Sequence, residues 1–595
     1  MPTFDTAALR SATIHVANAS DGPVAFAAVE LQRYLQRMTG VQVPIACDAM
    51  PNTLVLGAAA TTTEAARNPQ TFVIDPEPSR LILQSGSPRA LLSAVYALLE
   101  RLGCRWSLHG PDEEIVPRLA GTVQLDRFDH TPRFAVRGYV SDIMTWHYTQ
   151  PEYFTDRLDD DRAFIDWMGK SGANAFLYIR HPFDTQLTIP ELLPDFQRRG
   201  IDLEYGGHVI PLLLPRELYR EHPDYFPAAP DGMRTDHGNL CTSNAAALAT
   251  ASANAVQYAR EYPEMRVIHI WGADLWHGGW CHCTACAPLS VQDQSLRVCN
   301  AVAHGLAEAG VARPVCYLAY HDTLDADLTL RPDANVVVEF APRERCYGHA
   351  LNDPTCDTNR RYATALERYV ELFAGRVRLF EYYGDAILFF GCTVPLPEVI
   401  AADLEYYARL GVPGVTLLQF GTYSLWAYPF NLLGFAQASR GPCTPAVLRR
   451  DYCARFGKHA SGAATLFAEV EDIMRGVATY GDIRRPPRAA AAARHVLPRV
   501  EAALPRLMRV AEQLAALGDD TLAAQSALVR YTHGVLAGVC QQLRDTLAGQ
   551  PRDAEPQYSE ALQLLDVVER RFKGLWGSED LPMFHRLFAA AAHAE

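Results

Sequence analysis

The stretch that decides the fold lies at residues 315–322 and joins a short apolar run to a polar end. It reads Val315-Cys316-Tyr317-Leu318-Ala319-Tyr320-His321-Asp322. Short apolar runs that contain β-branched and aromatic residues are typical of buried strands, and the polar residues after them indicate a loop. The same arrangement recurs along the middle of the chain, so this stretch is one copy of a repeated unit.

Eight such runs alternate with helical windows between about residue 131 and residue 440. The predicted strands are Arg137–Val140, Ala175–Ile179, Leu203–Tyr205, Val267–Trp271, Val315–Ala319, Val336–Phe340, Arg378–Tyr382 and Val415–Phe420. The predicted helices between them are Asp160–Lys170, Asn244–Ala259, Leu296–Ala309, Asn359–Phe373 and Leu396–Leu410. This number of strands over about 300 residues predicts an α/β fold, a (β/α)8 TIM barrel. A doubly wound open sheet also fits the alternation, but no strand-to-helix turn carries the glycine-rich motifs of nucleotide-binding sheets.

Two further regions flank the predicted barrel. Residues 1–130 show strand and helix patterns, including a helix over Arg89–Leu102 that ends at Gly103, and we expect a non-catalytic N-terminal α/β domain. Residues 441–595 read as a C-terminal α-helical domain. Its helices are predicted after the Thr444-Pro445 cap and at 465–477, 489–517, 521–547 and 559–575, with Pro498 and Pro505 interrupting the 489–517 helix.

Composition excludes several classes of function. The 595 residues are 49% hydrophobic and 21% charged, with a formal net charge of -14. That acidic balance argues against nucleic-acid binding, which needs clusters of Lys and Arg. We find no signal-peptide pattern after Met1 and no apolar window of about 18 residues, so we expect a cytoplasmic protein without membrane contact. The 14 cysteines are too sparse for a disulfide scaffold and are expected to be reduced.

The predicted strand ends carry carboxylates, histidines and aromatic rings. The βα loops at the carboxyl ends of the strands form the active face of a TIM barrel. A sugar site needs carboxylates for acid/base chemistry and flat rings that stack on a pyranose. The predicted sugar contacts at these ends are Trp146, Arg180, His208, Trp271, Trp276, His321, Arg343, Tyr383 and Trp426.

Asp274 is the predicted general acid because it follows the fourth strand among Trp271, Trp276 and Trp280. An apolar aromatic surround raises the pKa of a carboxyl group, which suits a proton donor at neutral pH. The second catalytic carboxylate is predicted to be Glu381, or otherwise Glu339. No cofactor is expected to be required for this chemistry.

A cysteine cluster, Cys281-His282-Cys283-Thr284-Ala285-Cys286, is the one group of thiols with metal-ligand spacing. Cys281, Cys283 and Cys286 fit three ligands of a structural zinc ion, with Cys241 or another distant side chain as the fourth. Reduced thiols that only pack the loop, and a redox or catalytic role, are the alternatives. The pair Cys346 and Cys356 is a weaker candidate.

The residues also resemble known families. The run from Arg80 to Trp106 resembles the non-catalytic α/β domain that precedes the barrel in α-glucuronidases and β-hexosaminidases. The middle of the chain resembles the bacterial DUF4838 proteins, on these motifs in order: Gly207-His208, Glu221-His222-Pro223-Asp224-Tyr225-Phe226, Leu240-Cys241-Thr242-Ser243-Asn244 and Cys281-x-Cys283-x-x-Cys286. The resemblance covers about residues 10–460 and implies a glycoside-hydrolase-like barrel without naming a substrate.

The resemblance also separates two mechanisms. β-Hexosaminidases that use the acetamido group of the substrate carry adjacent Asp and Glu after the fourth strand, whereas this chain has Ala273-Asp274-Leu275. An α-glucuronidase would need a basic group for the sugar carboxylate, for which Arg180 and Arg343 are candidates.

The predicted function is therefore a glycoside hydrolase of carbohydrate metabolism that acts on the end of an oligosaccharide or glycoconjugate fragment, with a homodimer as one possible assembly. Two alternatives stay open. One is a non-catalytic carbohydrate-binding protein on the same scaffold. The other is a metal-dependent hydrolase or lyase that uses His208 and His321.

Overall fold

The computed structural model describes most of the chain, and every structural statement below concerns the residues it describes. These are residues 3–5, 12–16, 22–47, 53–57, 68–77, 80–119, 122–141, 151–179, 191–275, 278–386, 388–420, 428–477, 479, 482–483 and 485–550.

The N-terminal region is a mixed sheet with two helices. Its strands are β1 (Thr3–Asp5), β2 (Thr13–Val16), β3 (Ile45–Ala46), β4 (Thr53–Gly57), β5 (Phe72–Glu77), β6 (Arg80–Ser85), β7 (Thr122–Gln124) and β8 (Phe128–His130). Six of them form a sheet in the order β3-β2-β4-β6-β5-β8, and β1 pairs with β7. Helices α1 (Gly22–Thr39) and α2 (Pro88–Arg101) share a buried core with the sheet. The predicted α/β fold of this region is confirmed.

The middle of the chain is a closed barrel of eight parallel strands. The strands are β9 (Val136–Ser141), β10 (Ala175–Ile179), β11 (Asp202–Gly207), β12 (Met265–Ile270), β13 (Val315–Ala319), β14 (Val336–Phe340), β15 (Val377–Asp385) and β16 (Gly414–Phe420). The barrel closes where β16 pairs with β9, with Leu417 opposite Tyr139. This closure confirms the predicted TIM barrel and excludes the open sheet.

Helices cover the outside of the barrel. They are α3 (Pro151–Lys170), α4 (Leu193–Arg199), α5 (Ile210–Leu213), α6 (Ala245–Glu261), α7 (Val291–Glu308), α8 (Asp357–Leu372) and α9 (Pro397–Arg409). Capping side chains define two of the starts: Asn244 accepts the amide hydrogens of Ala246 and Ala247, and Ser290 accepts that of Asp293. Four of the five helices predicted between the strands match the structure to within about a turn and a half at each end, whereas α3 begins nine residues before the predicted Asp160.

The C-terminal region is helical, as predicted. Its helices are α10 (Pro429–Arg440), α11 (Pro445–Cys453), α12 (Ala460–Arg475), α13 (Ala490–Ala516) and α14 (Asp520–Leu547), with a 3-10 segment at Ala454–His459. The predicted interruption at Pro498 and Pro505 is wrong, because α13 continues through both. A proline removes one backbone hydrogen bond, and the buried stripe that α13 packs against its neighbours offsets that loss. The predicted 559–575 helix lies outside the described residues.

Helix α14 also contacts the loop that follows β15. Tyr531 donates its hydroxyl hydrogen to the carbonyl of Phe390 at 2.8 Å, and Thr532 accepts the amide hydrogen of Thr393 at 2.9 Å.

No helix within the ranges given above combines the length and the apolar character that a membrane span needs.

Candidate active site

Side chains on the barrel strands alternate between the interior and the surrounding helices. On β15, Arg378 and Tyr382 face the interior because both contact strands that are not their neighbours. Arg378 donates to Glu204 on β11 at 2.7 and 2.9 Å, and the Tyr382 ring lies 6.5 Å from the Tyr320 ring, which follows β13. Even-numbered positions of β15 up to Tyr382 therefore face the interior. We call the open end of the barrel, at the carboxyl ends of its strands, the mouth.

Charged side chains fill the middle of the barrel interior. His269 Nε2 lies 2.8 Å from Glu204 Oε2, and its Nδ1 lies 3.2 Å from Glu339 Oε2. Arg378 donates to both oxygens of Glu204. Glu204, His269 and Glu339 are buried, so the two carboxylates and the two basic groups compensate one another without water. We call these four residues the interior network.

The pKa values in the interior network follow from that pairing. Burial alone would raise the pKa of Glu204, but Arg378 and His269 lower it to about 2. Burial alone would lower the pKa of His269, but Cys316, Glu339 and Glu204 raise it well above its ordinary value. Glu204 is therefore ionised and His269 carries a proton, which fits a network of ion pairs.

Two predicted site residues, Glu339 and Trp271, belong to this network or pack against it. The Trp271 ring is 3% exposed and packs between His269, at 5.3 Å, and Phe380, at 5.9 Å. Glu339 lies in the interior network, with Thr416 Oγ1 donating to its Oε1 at 3.2 Å. Glu339 faces the interior but is fully buried and paired with His269, so the structure does not place it at the mouth. Trp271 directly follows β12, and its ring lies 5.3 Å from that of His208 at the end of β11.

Glu381 and Tyr383 face the opposite side of β15, toward the helices. Arg345 donates to Glu381 Oε1 at 3.2 Å and to Asp403 Oδ2 at 2.7 Å, Tyr383 donates to the same oxygen of Asp403 at 2.6 Å, and Tyr407 donates to Glu381. Burial, opposed by Arg345, raises the pKa of Glu381 to about 7. The prediction that Glu381 and Tyr383 face the mouth is wrong, because odd-numbered positions before the bulge of β15 point outward.

The mouth itself gathers charged groups around one phenol. Burial raises the pKa of Tyr320 well above its ordinary value; Arg343 opposes this shift, and Asp274, Glu344 and Asp385 add to it. All four charged groups therefore lie within electrostatic range of the Tyr320 hydroxyl. Together the five residues form what we call the mouth cluster. Of its members, Asp274 and Arg343 are predicted site residues.

Asp385 reaches the mouth because β15 carries a bulge. The pairing of β15 with β16 shifts register between Glu381 and Gly384, which resets the alternation of side chains. Asp385 Oδ2 accepts hydrogen bonds from Nε and Nη2 of Arg343 at 3.3 and 3.2 Å, and Oδ1 accepts the Leu388 amide hydrogen at 3.1 Å. Asp385 is thus a carboxylate in a fixed orientation, and Arg343 is committed to it.

His208 lies at the end of β11, where the backbone passes close to β12. Gly206 has a φ of +127°, and a Cβ there would lie 2.1 Å from the carbonyl oxygen of His269, so only glycine fits. His208 Nδ1 lies 2.6 Å from the carbonyl oxygen of Gly272, an acceptor, so Nδ1 carries the hydrogen. His208 therefore lies at the mouth end of β11, and its contact with sugar stays a prediction.

His321 also lies at the rim, in an unusual backbone conformation. Its φ is +47°, a left-handed value that costs energy in a residue other than glycine. Its Nδ1 lies 3.0 Å from Glu344 Oε1, and its ring lies 3.6 Å from that of Tyr320. His321 therefore borders the mouth cluster, as its predicted role requires.

Asp274 lies on the loop after β12 and is exposed. The backbone beside it is fixed, because the Ala273 amide donates to Asn239 Oδ1 at 2.7 Å. Trp271 and Trp280 are buried, so neither encloses the carboxyl group of Asp274 in the apolar surround that the sequence predicts. Four predicted sugar contacts lie outside the described residues: Trp146, Arg180, Trp276 and Trp426.

Sequence reasoning missed Asp385, Glu344 and Tyr320 as site residues. Each follows a correctly predicted strand, so the signal was present. Arg378 points into the barrel, where it pairs with Glu204. Alternation along the strand from Arg378 then places Tyr382 inside and Glu381 outside. The bulge before Asp385 breaks that alternation and has no marker except Gly384.

The cysteine cluster lies beside the same loop. Cys241 Sγ is 3.7 Å from Cys283 Sγ and 3.9 Å from Cys286 Sγ. Together with Cys281, all four sulfur atoms lie within 4.8 Å of one another. The structure therefore brings Cys241 to the three cysteines that the sequence groups together.

Solved structures with similar folds are glycoside hydrolases. A GH115 4-O-methyl-α-glucuronidase with specificity for decorated arabinogalactans has a TM-score of 0.62 at 14% identity, covering 96% of this chain and 79% of its own. A GH138 enzyme targeting pectin rhamnogalacturonan II has a TM-score of 0.58 at 11% identity, with 95% and 73% covered. A third structure, CpGH84B, has a TM-score of 0.51 at 11% identity, with 98% and 97% covered. At these identities the likeness shows a shared fold.

No curated protein matches this sequence. One family model does, over residues 114–421, and that stretch takes in every strand of the barrel together with the mouth cluster and all four clustered cysteines. The chain therefore belongs to the DUF4838 family, a domain of unknown function.

Proposed function

We propose that this protein is a glycoside hydrolase whose active site is the mouth of the barrel. The observation that carries the proposal is the mouth cluster, in which Asp385 pairs with Arg343 and Glu344 lies beside His321. These groups and Asp274 act electrostatically on the Tyr320 phenol. Enzymes with this fold bind substrate at this end of the barrel. Glycosidic bond cleavage uses one carboxyl group as proton donor and a second as base or nucleophile, which the cluster can supply.

In this proposal Asp274 donates the proton and Asp385 is its counterpart. Asp274 is exposed on its loop and is accessible to a leaving-group oxygen. Asp385 is held by Arg343 and by the Leu388 amide, and a carboxylate in a fixed orientation suits attack on a sugar carbon or activation of water. Asp385 replaces Glu381 and Glu339, whose side chains lie elsewhere.

Two phenols complete the proposed sugar site. Burial raises the pKa of Tyr320 and of Tyr382 well above the ordinary value, and the two rings lie beside each other. Both hydroxyl groups therefore stay protonated at neutral pH and can donate hydrogen bonds to sugar oxygens. Their flat rings also suit stacking on a pyranose. His208 and His321 border the same space.

The test is turnover of a glycan panel by the wild-type chain and by two matched variants. The panel contains chromogenic glycosides together with fragments of arabinogalactan and rhamnogalacturonan II, because enzymes of similar fold act on those polymers. We expect Asp274→Asn to lower kcat on the active substrate by about 10²–10⁴-fold, because the proton donor is lost. Asp357→Asn, on a side chain that is 89% exposed, is the control and keeps the wild-type rate.

Two outcomes contradict the proposal. Glycan binding by the wild-type chain, measured by calorimetry, without turnover of any panel member indicates a non-catalytic carbohydrate-binding protein. An Asp274→Asn variant with a near wild-type rate removes Asp274 from the mechanism. If a substrate is found, the anomeric form of the first product decides between retention and inversion.

A further inference from the structure

We propose that Cys241, Cys281, Cys283 and Cys286 bind one structural Zn²⁺ ion that fixes the loop carrying Asp274. A regular tetrahedron with Zn–S bonds of about 2.3 Å has sulfur–sulfur edges of about 3.8 Å. The two separations from Cys241 Sγ, 3.7 and 3.9 Å, match that edge. Four sulfur ligands in a closed tetrahedral set are typical of a structural zinc site, not a catalytic one.

Hydrogen-bond donors converge on the sulfur atom of Cys281. Cys281 Sγ accepts the amide hydrogen of Ala228 at 3.3 Å and that of Cys283 at 3.5 Å. Arg234 Nη1 lies 3.7 Å from the same sulfur. Hydrogen-bond donors and a guanidinium group that converge on one sulfur stabilise negative charge there, and thiolate is the form that binds zinc. Thiols that only pack a loop need no such donors.

A second set of contacts continues from Cys286. Cys286 Sγ donates to Ser243 Oγ at 3.1 Å and lies 3.6 Å from Thr242 Oγ1, so two hydroxyl groups contact a second sulfur. Cys241, Cys281 and Cys286 are buried, and burial of three thiolates without a cation would be strongly unfavourable. The four sulfur atoms therefore have the spacing and the polar neighbours that suit a bound Zn²⁺ ion.

The ion would join two segments that hold the Asp274 loop. Cys241 follows Asn239 by two residues, and Asn239 Nδ2 donates to the Gly278 carbonyl at 2.6 Å while its Oδ1 accepts the Ala273 amide hydrogen. The other three cysteines follow that loop directly. Gln294 of helix α7 fixes the backbone of Cys281 with two hydrogen bonds of 3.1 Å. Loss of the ion would remove this link between the Asn239 segment and residues 281–286 and leave only hydrogen bonds between the two.

The first experiment measures metal content of the full-length chain, purified without added metal, by plasma mass spectrometry. We expect about one zinc ion per chain. The variants Cys241→Ser and Cys286→Ser are expected to contain almost none. Cys346→Ser is the matched control, because Cys346 belongs to a different group with His349 and Cys356, and it is expected to keep the wild-type zinc content.

A second measurement keeps the proposal testable if the variants do not fold. Wild-type chain stripped by a chelator and reloaded with Co²⁺ should show the intense visible absorption of tetrahedral thiolate-bound cobalt, and Zn²⁺ should displace it. Three results would overturn the proposal: wild-type chain without zinc that also fails to bind Co²⁺, full zinc content in Cys286→Ser, or bound iron in place of zinc. None depends on whether the protein hydrolyses glycans.

Discussion

The two faces of strand β15 differ more in what surrounds them than in the residues they carry. The inner face presents Arg378 and Tyr382, and the outer face presents Glu381 and Tyr383, so each offers a charge and a phenol. The inner face leads from the interior network to the mouth cluster. The outer face ends against α9, where Arg345 and its partners are completely buried.

Residue type at a strand end therefore does not identify a site residue by itself. Glu381 and Asp385 lie four positions apart on one strand, and both are carboxylates with an arginine partner. Of these two, Asp385 is the one that acts electrostatically on Tyr320 at the mouth. The parity of the position and the bulge after Glu381 decide which carboxylate faces the barrel interior.

Loss of the carboxylate of Asp385, at the mouth end of the inner face, should lower activity more than any other change. Asp385→Asn is expected to lower kcat by about 10²–10⁴-fold on whichever glycan the wild-type chain hydrolyses, because the counterpart of the proton donor is lost. Glu381→Gln is the matched control on the outer face and should keep most of the activity. Steady-state kinetics at saturating substrate, with circular dichroism to verify folding, measures both. The reverse result would move the site to the helix layer.

The next effect concerns the stability of the outer face. Arg345→Met leaves Glu381 and Asp403 as buried carboxylates without their cation, which should lower the free energy of unfolding by about 3–5 kcal/mol. Arg360→Met removes an exposed arginine that pairs with Asp357 and should change stability by less than about 0.5 kcal/mol. Urea denaturation of both variants provides the measurement. Equal stabilities would show that the outer cluster contributes little.

The smallest change concerns the free energy of unfolding as a function of pH. Its sign should differ between Glu204, which pairs with Arg378 of the inner face, and Glu381 of the outer face. The lowered pKa of Glu204, about 2, stabilises the fold above its unfolded value near 4.5, and about 3 kcal/mol is lost as pH falls toward 2. The raised pKa of Glu381, about 7, stabilises the fold below 4.5, and about 2 kcal/mol is lost between pH 5 and 7.

Comparison of each glutamine variant with wild type across this pH range tests both signs. Glu204→Gln should remove a loss of stability on the acid side, and Glu381→Gln should remove one near neutrality. A Glu381→Gln variant whose unfolding free energy declines between pH 5 and 7 as steeply as that of wild type would contradict the assignment.

Much of the fold was predictable because it depends on apolar periodicity. Strands Ala175–Ile179, Val315–Ala319 and Val336–Phe340 end at the predicted residues, since each is a short apolar run between clear breaks. Continuation of α13 through Pro498 and Pro505 was not predictable, because it depends on packing against neighbouring helices. Local sequence reports the cost of a proline and not the contacts that offset it.

The candidate site was predictable only in part. The rim itself, with His208, His321, Arg343 and Asp274, follows from where strands end. Strand parity turns Glu381 outward, and a bulge turns Asp385 inward. Glu339 faces inward but is paired with His269 in the interior network. The fourth sulfur of the cysteine cluster comes from Cys241, forty residues before Cys281, and only the folded chain brings the two together.

Tyr531 and Thr532 share hydrogen bonds with the loop after Asp385. The contacts that support the mouth therefore extend beyond the end of the family match. The family match ends at residue 421, yet helix α14 lies about a hundred residues beyond it and holds the segment next to a proposed active-site carboxylate. A shortened chain cut at the family boundary would keep every barrel strand and lose this support. The shortest chain that folds with an intact mouth is therefore expected to extend well past residue 421, where the family match ends.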